Sequence, residues 1–120
     1  MSGTVQNNLI TVRQGDSFAI NLEFKEGGKP VDLTGASLLM QVRDEEGNIK
    51  FSLSGTPVDV LDGKMALLLT PEETNIDVGD YATDIQLTLS DGQVNTIWPA
   101  NVNQIGVFRI TEQVTRISND

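Results

Sequence analysis

From Tyr81 to Leu89 the chain alternates. Tyr81, Thr83, Ile85, Leu87 and Leu89 share one parity, and Ala82, Asp84, Gln86 and Thr88 share the other. Successive side chains of a strand point to opposite faces, so this stretch is a strand buried along one face only. The same period recurs three times. Phe18, Ile20, Leu22 and Phe24 alternate within Ser17 to Lys25, Ala36, Leu38, Met40 and Val42 within Ala36 to Arg43, and Met65, Leu67 and Leu69 within Lys64 to Thr70. Turn residues separate these runs: Gln14-Gly15-Asp16, Glu26-Gly27-Gly28-Lys29-Pro30, Asp44-Glu45-Glu46-Gly47-Asn48, Asp62-Gly63 and Ser90-Asp91-Gly92. Asp62-Gly63 is a hairpin signal. Asp91-Gly92 predicts a tight turn with positive φ angles, returning along Gln93 to Trp98.

Leu9 to Arg13, Ile49 to Leu53 and Ile105 to Thr111 read as shorter strands, Ile49 to Leu53 nearest an edge, while Thr56 to Leu61 is less regular. Asp32 and Thr34 are placed to bond local backbone ahead of the Ala36 strand. Thr70-Pro71-Glu72-Glu73-Thr74 predicts one short helical turn near 71–75, with Thr70 as N-cap, Pro71 at the first helical position and two acids at the positive end of the dipole. Seven to nine short strands with turn chemistry between them, and no long amphipathic helix, predict an all-β sandwich or barrel. A chain of 120 residues suits one domain, here expected over 9–116, with a loose arm at 1–8 and a tail at 117–120. The inward rows hold enough large apolar side chains, at roughly 1.5–3 kcal/mol each, for a core without cross-links.

Composition closes several routes to function. With no cysteine there is no disulfide and no thiolate metal site, which fits folding in a reducing cytoplasm. Without histidine there is no Ser-His-Asp or Cys-His catalysis. The net charge of −9 repels phosphate backbones and anionic membranes, so neither nucleic acid nor membrane is an expected partner. No run approaches the roughly 20 apolar residues of a membrane span, and the N-terminus lacks a signal-peptide pattern.

Carboxylates are the remaining catalytic candidates. Asp44, Glu45 and Glu46 fall in a solvated turn, and Glu72 and Glu73 are accounted for by the helix start. Asp59, Asp62, Asp77 and Asp80 lie in loops and could gather around Ca²⁺, but without the spacing of a known calcium loop. No enzyme, cofactor, metal or small-molecule substrate is expected.

The approach to the central strand carries further information. Asp77-Val78-Gly79-Asp80-Tyr81 resembles the tyrosine corner of immunoglobulin-type sandwiches, in which a Tyr at the start of a central strand bonds back to the chain. Gly79 permits the bend and the Asp77 carboxylate is placed to cap it; the alternative is an ordinary glycine turn before a half-buried Tyr. Thr83 stands where antibody domains carry a cysteine.

Further motifs follow in order: Gln14-Gly15-Asp16, Asp32-Leu33-Thr34-Gly35, Gln41-Val42-Arg43, Leu69-Thr70-Pro71-Glu72-Glu73-Thr74, Gly79-Asp80-Tyr81-Ala82-Thr83-Asp84-Ile85 and Val114-Thr115-Arg116. Together, from about Ile10 to Arg116, they resemble the immunoglobulin-like N-terminal domain of phage baseplate upper proteins and similar small phage tail proteins. The resemblance implies an immunoglobulin-like antiparallel β-sandwich and a non-enzymatic virion building block, assembled in the host cytoplasm. Such a block would serve as an adaptor of tail or baseplate, or as particle decoration, in contact with other virion proteins and with itself. The alternative is a carbohydrate- or receptor-binding module on a fibre or cell surface.

Four residues are candidates for an interface. Leu39, Leu68 and Ile97 fall on the outward parity of their strands and, if clustered, would mark a sheet face covered by another subunit. Trp98, the only Trp, is either a core residue or a partner-facing anchor. Exposed strand edges are a further resource, which the arm of residues 1–8 could use by adding itself to a neighbour's edge.

Overall fold

A computed structural model of the chain describes residues 3–101 and 103–112. Its strands are β1 (Gly3–Gln6), β2 (Leu9–Arg13), β3 (Phe18–Glu23), β4 (Lys25–Glu26), β5 (Lys29–Pro30), β6 (Ser37–Arg43), β7 (Ile49–Ser54), β8 (Thr56–Asp59), β9 (Lys64–Leu69), β10 (Gly79–Thr88), β11 (Val94–Trp98) and β12 (Gly106–Thr111). One helical turn, α1 (Pro71–Thr74), precedes β10, and a 3₁₀ turn spans Val60–Asp62.

The larger sheet has the order β1-β2-β12-β10-β6-β7, with β11 also on β10. The smaller sheet is β3-β9-β8. The strands β4 and β5 form a separate small hairpin. This is the immunoglobulin plan, an Ig-like β-sandwich, with β3, β9 and β8 forming one sheet and β6, β10 and β12 the heart of the other.

The alternating rows meet as the sequence predicts. Ile20, Leu67 and Leu69 from the small sheet pack in one core with Leu38, Met40, Val42, Ile85, Leu87, Phe108 and Ile110 from the large one. Met40, Val42, Leu67 and Phe108 are fully buried. Phe51 sets its ring edge-on to Phe108, with centroids 5.7 Å apart, a favourable aromatic geometry.

Several polar groups tie the end of the sandwich where β10 begins. Thr70 caps α1 by accepting from the Glu73 amide, and the Glu73 carboxylate accepts from the Thr70 amide at 2.8 Å, a full capping box. Thr74 is fully buried and donates its hydroxyl to the Asp16 carbonyl at 2.7 Å, fastening α1 to the entrance of β3. The side-chain amide of Gln14 donates to the Ile76 carbonyl. Thr83 fills its inward position by donating to the Gln41 carbonyl on β6 at 2.7 Å.

Five expectations are corrected. Residues 3–6 of the expected loose arm form β1, paired with β2 through the two-residue turn Asn7-Asn8; Asn7 takes φ 44°, a left-handed conformation that Asn tolerates. The sandwich is not wholly antiparallel, because β2 runs parallel to β12. At Asp91-Gly92 the loop has three residues and only Gly92 has positive φ, while the Asp91 carboxylate accepts from the Gln93 amide. Asp62-Gly63 does join two antiparallel strands, but through the 3₁₀ turn, which the Asp59 carboxylate caps. Asp32 does bond local backbone, its carboxylate accepting from the Thr34 amide, but the Thr34 hydroxyl donates to that carboxylate and not to backbone. The expected tail at 117–120, and Val114-Thr115-Arg116, lie outside the described residues.

Candidate functional site

The corner at the start of β10 is present. The Tyr81 hydroxyl donates to the Asp77 carbonyl at 2.6 Å, and Gly79 between them holds φ 148°. The main-chain carbonyl of Asp77 takes this bond; a carboxylate cap is not needed. Burial, followed by the charges of Asp77 and Asp44, pushes the Tyr81 phenol upward and keeps it neutral as a donor.

The acidic side chains are occupied with local structure. The Asp44 carboxylate accepts from the amides of Asn48 and Glu46, and these bonds, the Asn48 amide first, lower its pKa. Asp80 receives two hydrogen bonds from the Arg109 guanidinium, at 2.8 and 3.1 Å, which hold its carboxyl below the usual range and join β10 to β12. Asp62 pairs with Lys64 at 3.2 Å, and with Glu23 nearby it raises the lysine's pKa. Asp59 and Asp62 therefore sit at the 3₁₀ turn, while Asp77 and Asp80 sit at the corner. Among the described residues no three acidic side chains gather as a metal group would require.

The candidate interface residues fall in separate places. Leu39 lies on the outer face of the large sheet and is 39% exposed, whereas Leu68 lies on the outer face of the small sheet and is 48% exposed. They point away from opposite sides of the molecule. Ile97 turns inward against the core, because the pairing of β11 with β10 slips between Ile85 and Gln86 and leaves an extra residue there. Trp98 also packs against the core, yet it stays partly exposed. The three aliphatic residues therefore do not form one face.

Among the described residues, three depressions stand in place of that face. The first arises because the last strand is broken. The strand β11 leaves β10 at Trp98, opposite Ile85, and the chain rejoins β10 only at Gly106, opposite Thr83. Residues 99–101 and 103–105 thus lie on an excursion at the outer face. A Cβ on Gly106 would collide with the Thr83 carbonyl and lie 2.7 Å from the Trp98 ring, so only glycine fits the return. Asn8 clamps it, donating from its side-chain amide to the Ile105 carbonyl and accepting from the Val107 amide.

Ile105 projects beside this clamp at 74% exposure. On one side of it is a hollow of about 320 Å³ against Leu39, Gln41, Ala82 and Gln86. On the other side a hollow of about 400 Å³ is walled by Thr96, Asn101 and Gln104. The second depression lies on the outer face of the small sheet, over Ala19, Asn21 and Leu68.

The third is the lateral opening between the two sheets. The strands β1 and β3 are each outermost in their sheets on this side. Between them runs a groove of about 400 Å³, with Thr4 and Val5 on one bank and Ala19 to Leu22 on the other. Its floor is made of core side chains, Ile10, Ile85 and Trp98. This groove could not be read from the sequence, because it depends on where β1 lies, and Gly3-Thr4-Val5-Gln6 has little strand pattern of its own.

No protein-family model and no curated protein matches the chain. Among solved structures it is similar to the N-terminal domain of ORF48 of phage TP901-1, with a TM-score of 0.50 and 18% identity over 93% of this chain and 92% of that one. It is also similar to CopC from Methylosinus trichosporium OB3b, with a TM-score of 0.50 and 15% identity over 88% of this chain and 86% of that one. At these identities the likeness is one of fold, an Ig-like β-sandwich shared over nearly the whole length.

Proposed function

We propose that the chain is a structural module of a phage particle, an Ig-like sandwich that joins tail or baseplate proteins through protein–protein contacts and carries out no reaction. The observation that carries this is the fold, shared end to end with a phage domain. The distribution of its side chains supports it. The ionisable groups described above serve turns, caps and strand-to-strand pairs, while Leu39, Leu68 and Ile105 remain available on the outer faces. Exposed apolar residues beside unpaired strand edges suit docking against other proteins.

The test is native mass spectrometry of the purified chain, alone and mixed with the structural proteins of the same particle. Stable association with at least one of them is expected. A chain that binds none of them, and is absent from purified particles, would overturn the proposal.

One observation favours a second reading. The hollows around Ile105 are walled by side-chain amides, Gln41 and Gln86 on one side and Asn101 and Gln104 on the other, groups that can hydrogen-bond sugar hydroxyls. A clear hit on a glycan array, lost on Gln86→Ala, would put a carbohydrate-binding module first.

A further inference from the structure

We propose, building on the reading of the chain as an assembly module, that the lateral opening between β1 and β3 is the docking site for a second copy of the chain, paired edge to edge about a two-fold axis perpendicular to the strands. Three features of the opening point to a second copy.

The first is direction. Gly3 lies against the Phe18 ring, so close that a Cβ there would stand 2.9 Å from it. Both strands begin at this end and flank the same groove, so both run in the same sense. Half a turn about an axis crossing both strands reverses each onto its own copy. The two β1 strands then lie antiparallel, and so do the two β3 strands. Each sheet continues across the junction, because the two edges are about one sheet separation, ~10 Å, apart in both copies. A half-turn about an axis along the strands would instead set β1 against β3 in parallel.

The second feature is charge. The chain carries a net charge of −9, so two copies repel one another over most approaches. None of the described residues lining the groove is ionisable. Here a like-charged copy meets the least opposition, whereas a basic partner would find nothing to pair with.

The third is the contrast with the other edges. On the far side of the sandwich β7 carries Lys50, β8 carries Pro57 and Asp59, and both pairings are interrupted by register shifts. These are devices that keep edges from pairing. The strands β1 and β3 lack proline, and their only charge is Glu23, at the far end of β3.

The size of the contact sets its strength. Six residues of β3 span roughly 20 Å, and two edges with their flanks are about as wide, so each copy covers roughly 400 Å², half of a standard interface. The dimer is therefore weak in isolation, with a dissociation constant of about 10⁻⁵ to 10⁻³ M. It becomes firm where other contacts in an array hold the copies close.

Sedimentation equilibrium of the full chain up to about 1 mM tests this, with variants at Asn21, an exposed residue near the middle of β3. Across the two-fold axis the Asn21 region of one copy lies opposite that of the other. Asn21→Lys and Asn21→Glu should each weaken the dimer by about three- to fivefold through like-charge pairing, and an equimolar mixture of the two should restore it. Unchanged melting temperatures would establish that both variants fold.

A wild-type chain that stays monomeric to about 1 mM overturns the proposal, as does association that ignores both variants or is abolished instead by Leu39→Lys. If the chain stays monomeric yet still binds a neighbouring particle protein, this proposal fails and the assembly reading stands. Protection of the β1 and β3 amides by that protein would assign the groove to it.

Discussion

The two lateral sides of the sandwich are closed in different ways. On one side the chain itself crosses between the sheets: β7 ends at Ser54, Gly55 makes the step, and β8 begins at Thr56. The Gly55 amide donates to the Leu38 carbonyl at 2.8 Å, and a Cβ on Gly55 would stand 2.5 Å from the Leu38 Cβ. Phe51 seals the interior there against Phe108. On the other side β1 and β3 approach without a direct connection, and the core shows between them through Trp98 and Leu22. A sandwich is thus tight where one continuous segment serves both sheets, and it gapes where each sheet ends on a strand of its own. Proline, charge and register shifts guard the tight side, while the gaping side is left uncharged.

Substitutions that separate the two sides follow in order of effect. Phe108→Ala should cost about 4 kcal/mol, because it empties a fully buried site and leaves Phe51 without its ring partner. Chemical denaturation should show it as the most damaging single change. Gly55→Val should cost about 3 kcal/mol, since backbone as well as Leu38 must move, and it should open the tight side specifically. A loss below about 1 kcal/mol would mean that this corner is looser than described.

Tyr81→Phe removes one hydrogen bond at the corner, which belongs to neither side, and should cost about 1 kcal/mol. Asp80 offers a pH readout between β10 and β12. Its folded pKa is lowered by Arg109, so its contribution is present above the ordinary carboxylate range and is lost as pH falls through the depressed value. Thermal melts should therefore show stability falling below about pH 4, and Asp80→Asn should flatten part of that fall. On the open side Val5→Lys should change the monomer's stability least, within about 0.5 kcal/mol, because Val5 is 42% exposed on an outermost strand.

Much of this architecture was legible in the sequence. The parity of Ile85 and Leu87, of Leu38 to Val42, and of Met65 to Leu69 placed the core correctly, since a two-residue period leaves no other burial pattern. The capping box of Thr70 and Glu73 and the bond from Tyr81 to Asp77 were also foreseeable, because both are local chemistry at fixed spacing. What escaped depends on partners distant in sequence. β1 is a strand only because β2 offers it an edge. Ile97 faces inward only because β11 slips against β10. Leu39 and Leu68 shared a parity argument but sit on different sheets, and parity within a strand cannot tell which sheet the strand joins. The groove between β1 and β3 follows from the first of these, the place of β1, and so was visible only in the fold.

Residue-resolved amide hydrogen exchange at low and high protein concentration addresses the difference between the two sides most directly. Strands β7 and β8 should exchange identically at both concentrations, while amides of Thr4 to Gln6 and Ala19 to Leu22 should gain protection at the high one. Protection that appears instead around Leu39 and Ile105, with β1 and β3 unchanged, would contradict edge-to-edge pairing.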